Sequence, residues 1–461
     1  MEHVQNKGEK VQLSSSAYVK ADIWNGIKAE VTGSYNFSSS QSRSFVPSTI
    51  TKYRTDVEGY RTTASRTESR SNKFLLQGVL HYDKTFGRHT VGAMAGYSME
   101  SSGGSSMRLS ATQFPDNSLE VIDMADVVLT AATASLSTPS RLMSYFGRLQ
   151  YEYDDRYLLT ASIRRDGSSR FGKANRWGIF PAVSGAYRIS NEKFWPKDFV
   201  MNSLKLRASW GRLGNDHVAA SDGFASITTG NSASGVFGNS TFPGYQNTTY
   251  FSYLKWELVD ETNVGLNFST FKNRLNVDLD YFYRLTKRAV ISPRLPFSND
   301  VLAGNYGKIL NSGFDLSLNW NDNIGRDFKY NLGVNLSYLK NKVKDLGGLS
   351  SIKGGKTINM VGKEMNSYYG YKVVGVYQTL EECAEDPIAV ANKLVPGDFK
   401  YEDVNGDNVI DGDDRQVLGS YIPNFTYGIN LGLNWKNLDF ELTTYGQTGG
   451  QIYNRKPVSY T

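Results

Sequence analysis

The chain has 461 residues, with 51 Lys and Arg against 45 Asp and Glu, and its net charge of +6 is spread without a basic block; that is not a nucleic-acid footprint and suits acidic surroundings such as anionic lipid. Hydrophobic content is 39%, and 29 Tyr and 44 Gly against only 12 Pro favour strands and turns. A single cysteine, Cys383, rules out an internal disulfide framework, and no run approaches about eighteen apolar residues, so no transmembrane helix is expected.

A closed β-barrel stays open as an answer, because its strands satisfy every backbone group internally and never look hydrophobic as a block. The opening "MEHVQNKGEK" is charged from its second residue and does not read as a targeting segment. Asn25-Gly26 is the strongest hairpin signal, joining "VKADIW" to "IKAEVTGSYNF". Further on, Met143, Tyr145, Gly147, Leu149, Tyr151 and Tyr153 alternate with Ser144, Arg148, Gln150 and Glu152. Asp154-Asp155-Arg156 turns the chain, and Tyr157, Leu159, Ala161 and Ile163 resume the pattern. Val264, Leu266 and Phe268 lead to the turn "FKNR", after which Leu275, Val277, Leu279, Tyr281 and Tyr283 oppose Asn276, Asp278, Asp280 and Arg284. Phe314, Leu316, Leu318 and Trp320 alternate in the same way. The last and clearest case runs Phe425, Tyr427, Ile429, Leu431, Leu433, Trp435, turns at Lys436-Asn437, and restarts at Leu438, Phe440 and Leu442. Side chains alternate across a strand, so each stretch has one apolar and one polar face.

About fifteen strands of about ten residues are expected. Long polar loops are expected at 38–71, 101–140, 215–250 and 340–424. Short turns alternating with long loops fit an all-β fold, an antiparallel transmembrane β-barrel with long extracellular loops. A soluble sandwich would need some strands buried on both sides, whereas here the second face stays Asn, Ser, Asp, Arg and Gly. The rival functional reading is a secreted, calcium-stabilised β-rich carbohydrate-binding or adhesion protein.

Residues 401 to 415, "YEDVNGDNVIDGDDR", carry the chain's one metal-ligand pattern. Asp403, Asn405, Asp407, Val409 through its carbonyl, Asp411 and Asp414 occupy the first, third, fifth, seventh, ninth and twelfth places of an EF-hand-type calcium loop. Asn408 stands where Gly is usual, and Asn tolerates the left-handed backbone. A structural Ca2+ is the expected cofactor. The competing reading is a solvated acidic turn whose Asp and Asn residues cap one another. "SSIKGGKT" at 350–357 imitates a phosphate-binding loop but lacks its first glycine, so a flexible loop is expected. Cys383 reads as a free thiol in a loop or an incidental residue. His3, His81, His89 and His217 have no ligand spacing, with His81 and His89 flanking a hairpin turn. Phe237, Tyr245, Tyr250, Tyr368, Tyr369 and Tyr371 are expected to pack loops together, with stacking on sugar rings or peptides as the rival reading. No catalytic constellation is present, so the protein is not expected to be an enzyme.

The strings "LLQGVLHYDKTFGRHTVGAMAGYSME", "RLMSYFGRLQYEYDDRYLLTASIRRDGSSRFG", "RWGIFPAVSGAYRISNEKF", "LKLRASWGRLGND" and "NYGKILNSGFDLSLNW" occur in order along the chain. So do "YYGYKVVGVYQT" and "PGDFKYEDVNGDNVIDGDDRQVLGSYIPNFTYGINLGLNWKNLDFEL". Together they resemble SusC/RagA-type TonB-dependent outer-membrane transporters over nearly the whole chain. The resemblance implies a barrel of about 22 strands that imports glycans, oligosaccharides or peptides in Bacteroidetes-like bacteria. It implies a SusD-like surface lipoprotein partner, energy from TonB–ExbB–ExbD, and a place in the outer-membrane lipid. Residues 1–461 are expected to be the barrel region alone, without signal peptide, N-terminal domain, TonB box, plug or the last strands.

Overall fold

The structure, a computed structural model, describes residues 4–48, 62–116, 122, 125, 127–196, 200–218, 226–237, 240–248, 253–293 and 303–454, with side chains except at 127–138, 226–237 and 240–248. Its first half is β1 (Gln5–Trp24), β2 (Ile27–Val46), β3 (Thr63–Phe86), β4 (His89–Thr112), β5 (Val127–Tyr153), β6 (Tyr157–Ser168), β7 (Trp177–Arg188) and β8 (Met201–Asn215). Then come a hairpin, β9 (Ser226–Phe237) and β10 (Ser240–Thr248), and β11 (Glu257–Thr270), β12 (Leu275–Ile291), β13 (Gly304–Ile324) and β14 (Phe328–Leu346). An insertion follows, with β15 (Ser351–Gly354), β16 (Thr357–Met360), β17 (Ser367–Gly370), β18 (Val373–Val376), α1 (Leu380–Glu385), α2 (Pro387–Asn392), β19 (Phe399–Tyr401) and β20 (Gln416–Gly419). β21 (Phe425–Trp435) and β22 (Leu438–Thr448) close the described chain.

Fourteen strands hydrogen-bond in the order β1 to β8, β11 to β14, β21, β22, each to its neighbour in sequence once β9–β10 and the insertion are set aside. The chain forms two compact units. One holds 1–151, 162–180 and 216–253; the other holds 152–161, 181–215 and 254–461.

The turns lie where the residues dictate. Gly26 takes φ +87 at the Asn25-Gly26 hairpin, and Asp154 and Asp155 take φ 55 and 52 at theirs. Phe271, Lys272 and Asn273 all take positive φ at "FKNR", and Lys436 does so at the last hairpin. These conformations supply the twist that a tight hairpin needs.

Strand length is where expectation and structure differ. β3 and β4 run 24 residues each, about 80 Å at 3.3 Å per residue, against a hydrocarbon core of about 30 Å. Two of the expected loops are therefore largely strand: in 38–71, β2 pairs with β3 as far as Val46 and Thr63, and in 101–140, β4 reaches Thr112 and β5 starts at Val127. In 215–250, β9 pairs with β10. The Ser, Thr and Arg tracts keep their backbone bonds in the ladder. In the first unit these long ribbons end in a small core of Phe45, Ala64, Ala111 and Phe114, with Phe45 edge-on to Phe114 at 5.7 Å.

The apolar faces are uncovered over much of their area, although Val277 is buried at 7% exposure. Val264, Tyr281, Ile429, Phe440 and Leu442 are 40–54% exposed. In the first unit Tyr145, Leu149 and Ile163 are at least half exposed. A sandwich would press these side chains against a second sheet, and none does.

Candidate functional site

The polar face of the second unit is a wall of mixed charge built by β8, β11 and β12. Register places Arg207 opposite Gly265 and Gly265 opposite Asp280. Arg207 donates from Nε to Asn267 Oδ1 at 2.7 Å and from Nη2 to Asp280 Oδ2 at 2.8 Å, and Asn267 donates to Asp278. Gly265 makes the bridge over β11 fit: a Cβ there would stand 2.5 Å from Asp280 Oδ1 and 2.9 Å from Arg207 Nε. Further along, Arg284 grips Glu261 with two bonds of 2.9 and 3.1 Å. Such bidentate pairs hold long side chains in one geometry. Beside them a 290 Å³ groove is lined by Thr160, Ser184, Lys205, Arg207, Ser209 and Asn263. This wall presents fixed donors and acceptors, with no nucleophile or paired acid and base.

The opposite face carries aromatic rings in two rows. Phe328 pairs with Trp435 beside the short turns, and Tyr338 pairs with Phe425 ten residues away on the same two strands. Tyr338 also meets Phe314, with ring centres 5.6 Å apart, and Phe425 at 4.8 Å. Ten residues span about 33 Å of strand. At a tilt of about 40° that is about 25 Å of height, the thickness of the apolar band of an outer-membrane barrel. Near the short turn after β5, Tyr157 stacks on Tyr187 at 5.0 Å. Both hydroxyls donate to Glu192 Oε1, and Arg156 binds its other oxygen at 2.8 Å. Tyr157 and Arg156 hold the Glu192 carboxyl below the usual carboxylate range. In the first unit Tyr145 lies between Tyr97 and Trp177, at 5.2 and 6.2 Å.

The insertion at 347–424, expected as a long polar loop, has its own architecture. β18 pairs with β19, and Tyr377, Cys383 and Ala389 are buried together against Leu394. Cys383 is therefore a packed residue of α1, not a loop thiol, and burial pushes its thiol up. Tyr377 donates to Asp386 Oδ2 at 2.8 Å, and burial followed by that carboxylate raises its phenol to about 12. The "SSIKGGKT" stretch, expected as a flexible loop, is instead the β15–β16 hairpin with Gly355 at φ +46. Tyr371 packs on Arg415 at 5.1 Å and on Tyr401 at 5.7 Å, and Tyr368 meets Tyr453 at 6.3 Å, contacts that join the loops to one another. Tyr250 and the side chains of Phe237 and Tyr245 lie outside the described residues, as does His3. His89 opens β4 with Nδ1 2.7 Å from the Tyr151 hydroxyl.

The six candidate metal-ligating residues share one loop. Asp403 accepts from the amides of Gly406 and Asn408 at 2.7 and 2.8 Å. Asp407 accepts from Val409, and Asn405 from Asp407. Asp411 accepts from Asp413, and Asp411 and Asp414 form a capping box around a 3₁₀ turn. Asp414 is fully buried; the amides of Asp411 and Val404 hold its carboxyl below the usual range. Asn408 takes φ +63, the left-handed turn expected of it. The donor types suit a hard cation. Among the described residues, no three His, Cys, Asp or Glu side chains converge on one point.

The family model described as TonB dependent receptor-like, beta-barrel matches residues 5–459. TonB-dependent receptor P3 of Formosa agariphila is 29% identical over 95% of this chain and 44% of its own length. TonB-dependent receptor SusC of Bacteroides thetaiotaomicron is 29% identical over 71% of this chain and 33% of its own length. The RagAB peptide importer in its open-open state superposes with a TM-score of 0.81 at 20% identity, covering 97% of this chain and 48% of that one. The chain thus spans less than half the length of these relatives. The expected resemblance to SusC/RagA-type receptors, which are transport proteins and not enzymes, is borne out: the chain belongs to the TonB-dependent receptor β-barrel family.

Proposed function

We propose that this chain forms barrel wall of a SusC/RagA-like transporter in the bacterial outer membrane, importing glycans, oligosaccharides or peptides too large to diffuse. One observation carries the reading: an uncovered apolar face bounded by two aromatic rows about 25 Å apart, backed by a wall of paired charges and amides. Lipid would touch the first face, and water and cargo the second. The wall's fixed donors and acceptors suit hydroxyl-rich or amide-rich cargo equally, which keeps both substrate classes. The resemblance to SusC/RagA-type transporters adds a SusD-like surface lipoprotein and TonB-coupled energy to this proposal. The test is fractionation of cells expressing the gene, followed by gel mobility with and without heating. A chain in the outer-membrane fraction with heat-dependent mobility supports transport. A chain that stays soluble without detergent overturns it in favour of a secreted adhesin.

For the acidic loop we propose a structural Ca2+ held by Asp403, Asn405, Asp407, Val409, Asp411 and Asp414. The supporting observation is the left-handed Asn408, which gives the loop the turn that calcium loops require. Calorimetric titration of the folded chain decides: absence of heat at millimolar calcium leaves a self-capped acidic turn.

A further inference from the structure

β14 continues past the aromatic row with a comb of lysines. Lys340 and Lys342 follow Tyr338 on the same face, and Lys344 is the unpaired residue of a bulge next to the Lys308–Asp345 pair. Between them Asn341 and Val343 point the other way and are buried, at 7% and 1% exposure. Among the described residues no ion pair engages Lys340, Lys342 or Lys344. On neighbouring strands Lys308 stands directly opposite Lys287. Each has a single carboxylate, Asp345 at 2.9 Å and Asp260 at 2.8 Å. Asp260 is also held by Arg212 through two bonds of 2.6 and 2.9 Å, so five lysines and one arginine against two aspartates leave an excess of four positive charges. Like charges across a ladder are unfavourable, so the patch calls for an anion that the described chain does not supply.

The position of the patch selects that anion. Lys340 and Lys342 lie two and four residues beyond Tyr338, about 5 and 10 Å above the aromatic row at the usual rise and tilt. The row bounds the apolar band on the side of the long connections. The next layer outward holds lipid headgroups, and lysine stems reach along the apolar surface to place ammonium groups there.

We infer that Lys340, Lys342 and Lys344, with Lys308, bind phosphate-bearing lipid headgroups of the outer leaflet. This rests on the membrane reading above, and the experiment separates the two. The full chain is inserted into nanodiscs of phosphatidylcholine with a minor fraction of phosphatidylglycerol, and the lipid kept around it is quantified. Insertion and a heat-dependent gel shift report the membrane reading; enrichment of phosphatidylglycerol reports the lysine site. The expected result is enrichment that weakens with salt, falls about fivefold per lysine in K340Q/K342Q/K344Q, and persists in K340R/K342R/K344R. Equal enrichment by the glutamine variant overturns the inference. So does inorganic phosphate binding as tightly in lipid-free detergent, which would mark a free-anion site. Loss of a copurifying surface lipoprotein with unchanged lipid enrichment also overturns it, assigning the lysines to a protein partner. If the glutamine variant loses its gel shift, the salt series on the unmodified chain decides, and enrichment indifferent to salt rejects the site.

Discussion

The β21–β22 hairpin and the insertion that precedes it reach order by opposite routes. In the hairpin, Phe425, Ile429, Phe440 and Leu442 stay 37–53% exposed, and the ladder itself holds the strands. In the insertion, Tyr377, Cys383 and Ala389 are at most 6% exposed, and this packing ties the two short helices to the chain beside β18. One region suits a solvent of lipid, where every backbone group must bond within the sheet. The other is a miniature water-soluble core, where apolar burial supplies the stability. Exposure of a large apolar residue therefore means opposite things in two segments joined by a few residues.

Four experiments break or sharpen this contrast. Tyr377→Ala empties the small core and should destabilise the insertion by about 3–5 kcal/mol. Limited proteolysis should then cut within 372–402 while the sheet keeps its heat-dependent gel shift; loss of both together would show the insertion and the sheet to be one cooperative unit. Leu431→Arg places a charge on the lipid face, costing about 2–4 kcal/mol at mid-bilayer, and should prevent assembly, whereas Asn430→Arg on the polar face is tolerated. Equal yields of folded protein from the two would reverse the facing assignment. Gly265→Val crowds the Arg207–Asp280 bridge and should cost about 1–3 kcal/mol, read as a lower midpoint in urea; an unchanged midpoint means the bridge relaxes freely. The smallest effect is in pH. Asp414 is held below its unfolded value by backbone amides, so its contribution is complete above about pH 4 and fades as pH falls through its folded pKa. Protease resistance of the 403–414 loop should decline there and hold at neutral pH; Asp414→Asn should remove the dependence.

Much of the sheet was legible because lipid imposes a rule with a period of two. Leu431 against Asn430 and Tyr281 against Asp280 could be assigned to faces from alternation alone, and Asn25-Gly26 and Lys436-Asn437 announced their turns. The outer halves of β2, β3 and β4 were not legible, since a strand wet on both sides has no alternation to read. Helix signals in the insertion were present. Thr379 caps α1 by accepting from Glu382 N, Glu382 in turn accepts from Gln378 N, and Asp386 caps α2 by accepting from Ile388 N. Both helices are only six residues long, too short to show a helical period. The wall pair Arg207 and Asp280 lies 73 residues apart in sequence, and no local pattern joins them.

Sequence by itself settled the faces, the tight turns and the family, because each depends on near neighbours along the chain or on the solvent a side chain meets. Tertiary structure alone decided strand length, the charge pairs across the polar wall and the core around Tyr377. Those depend on register and on contacts between distant segments, where geometry and not composition selects the partner.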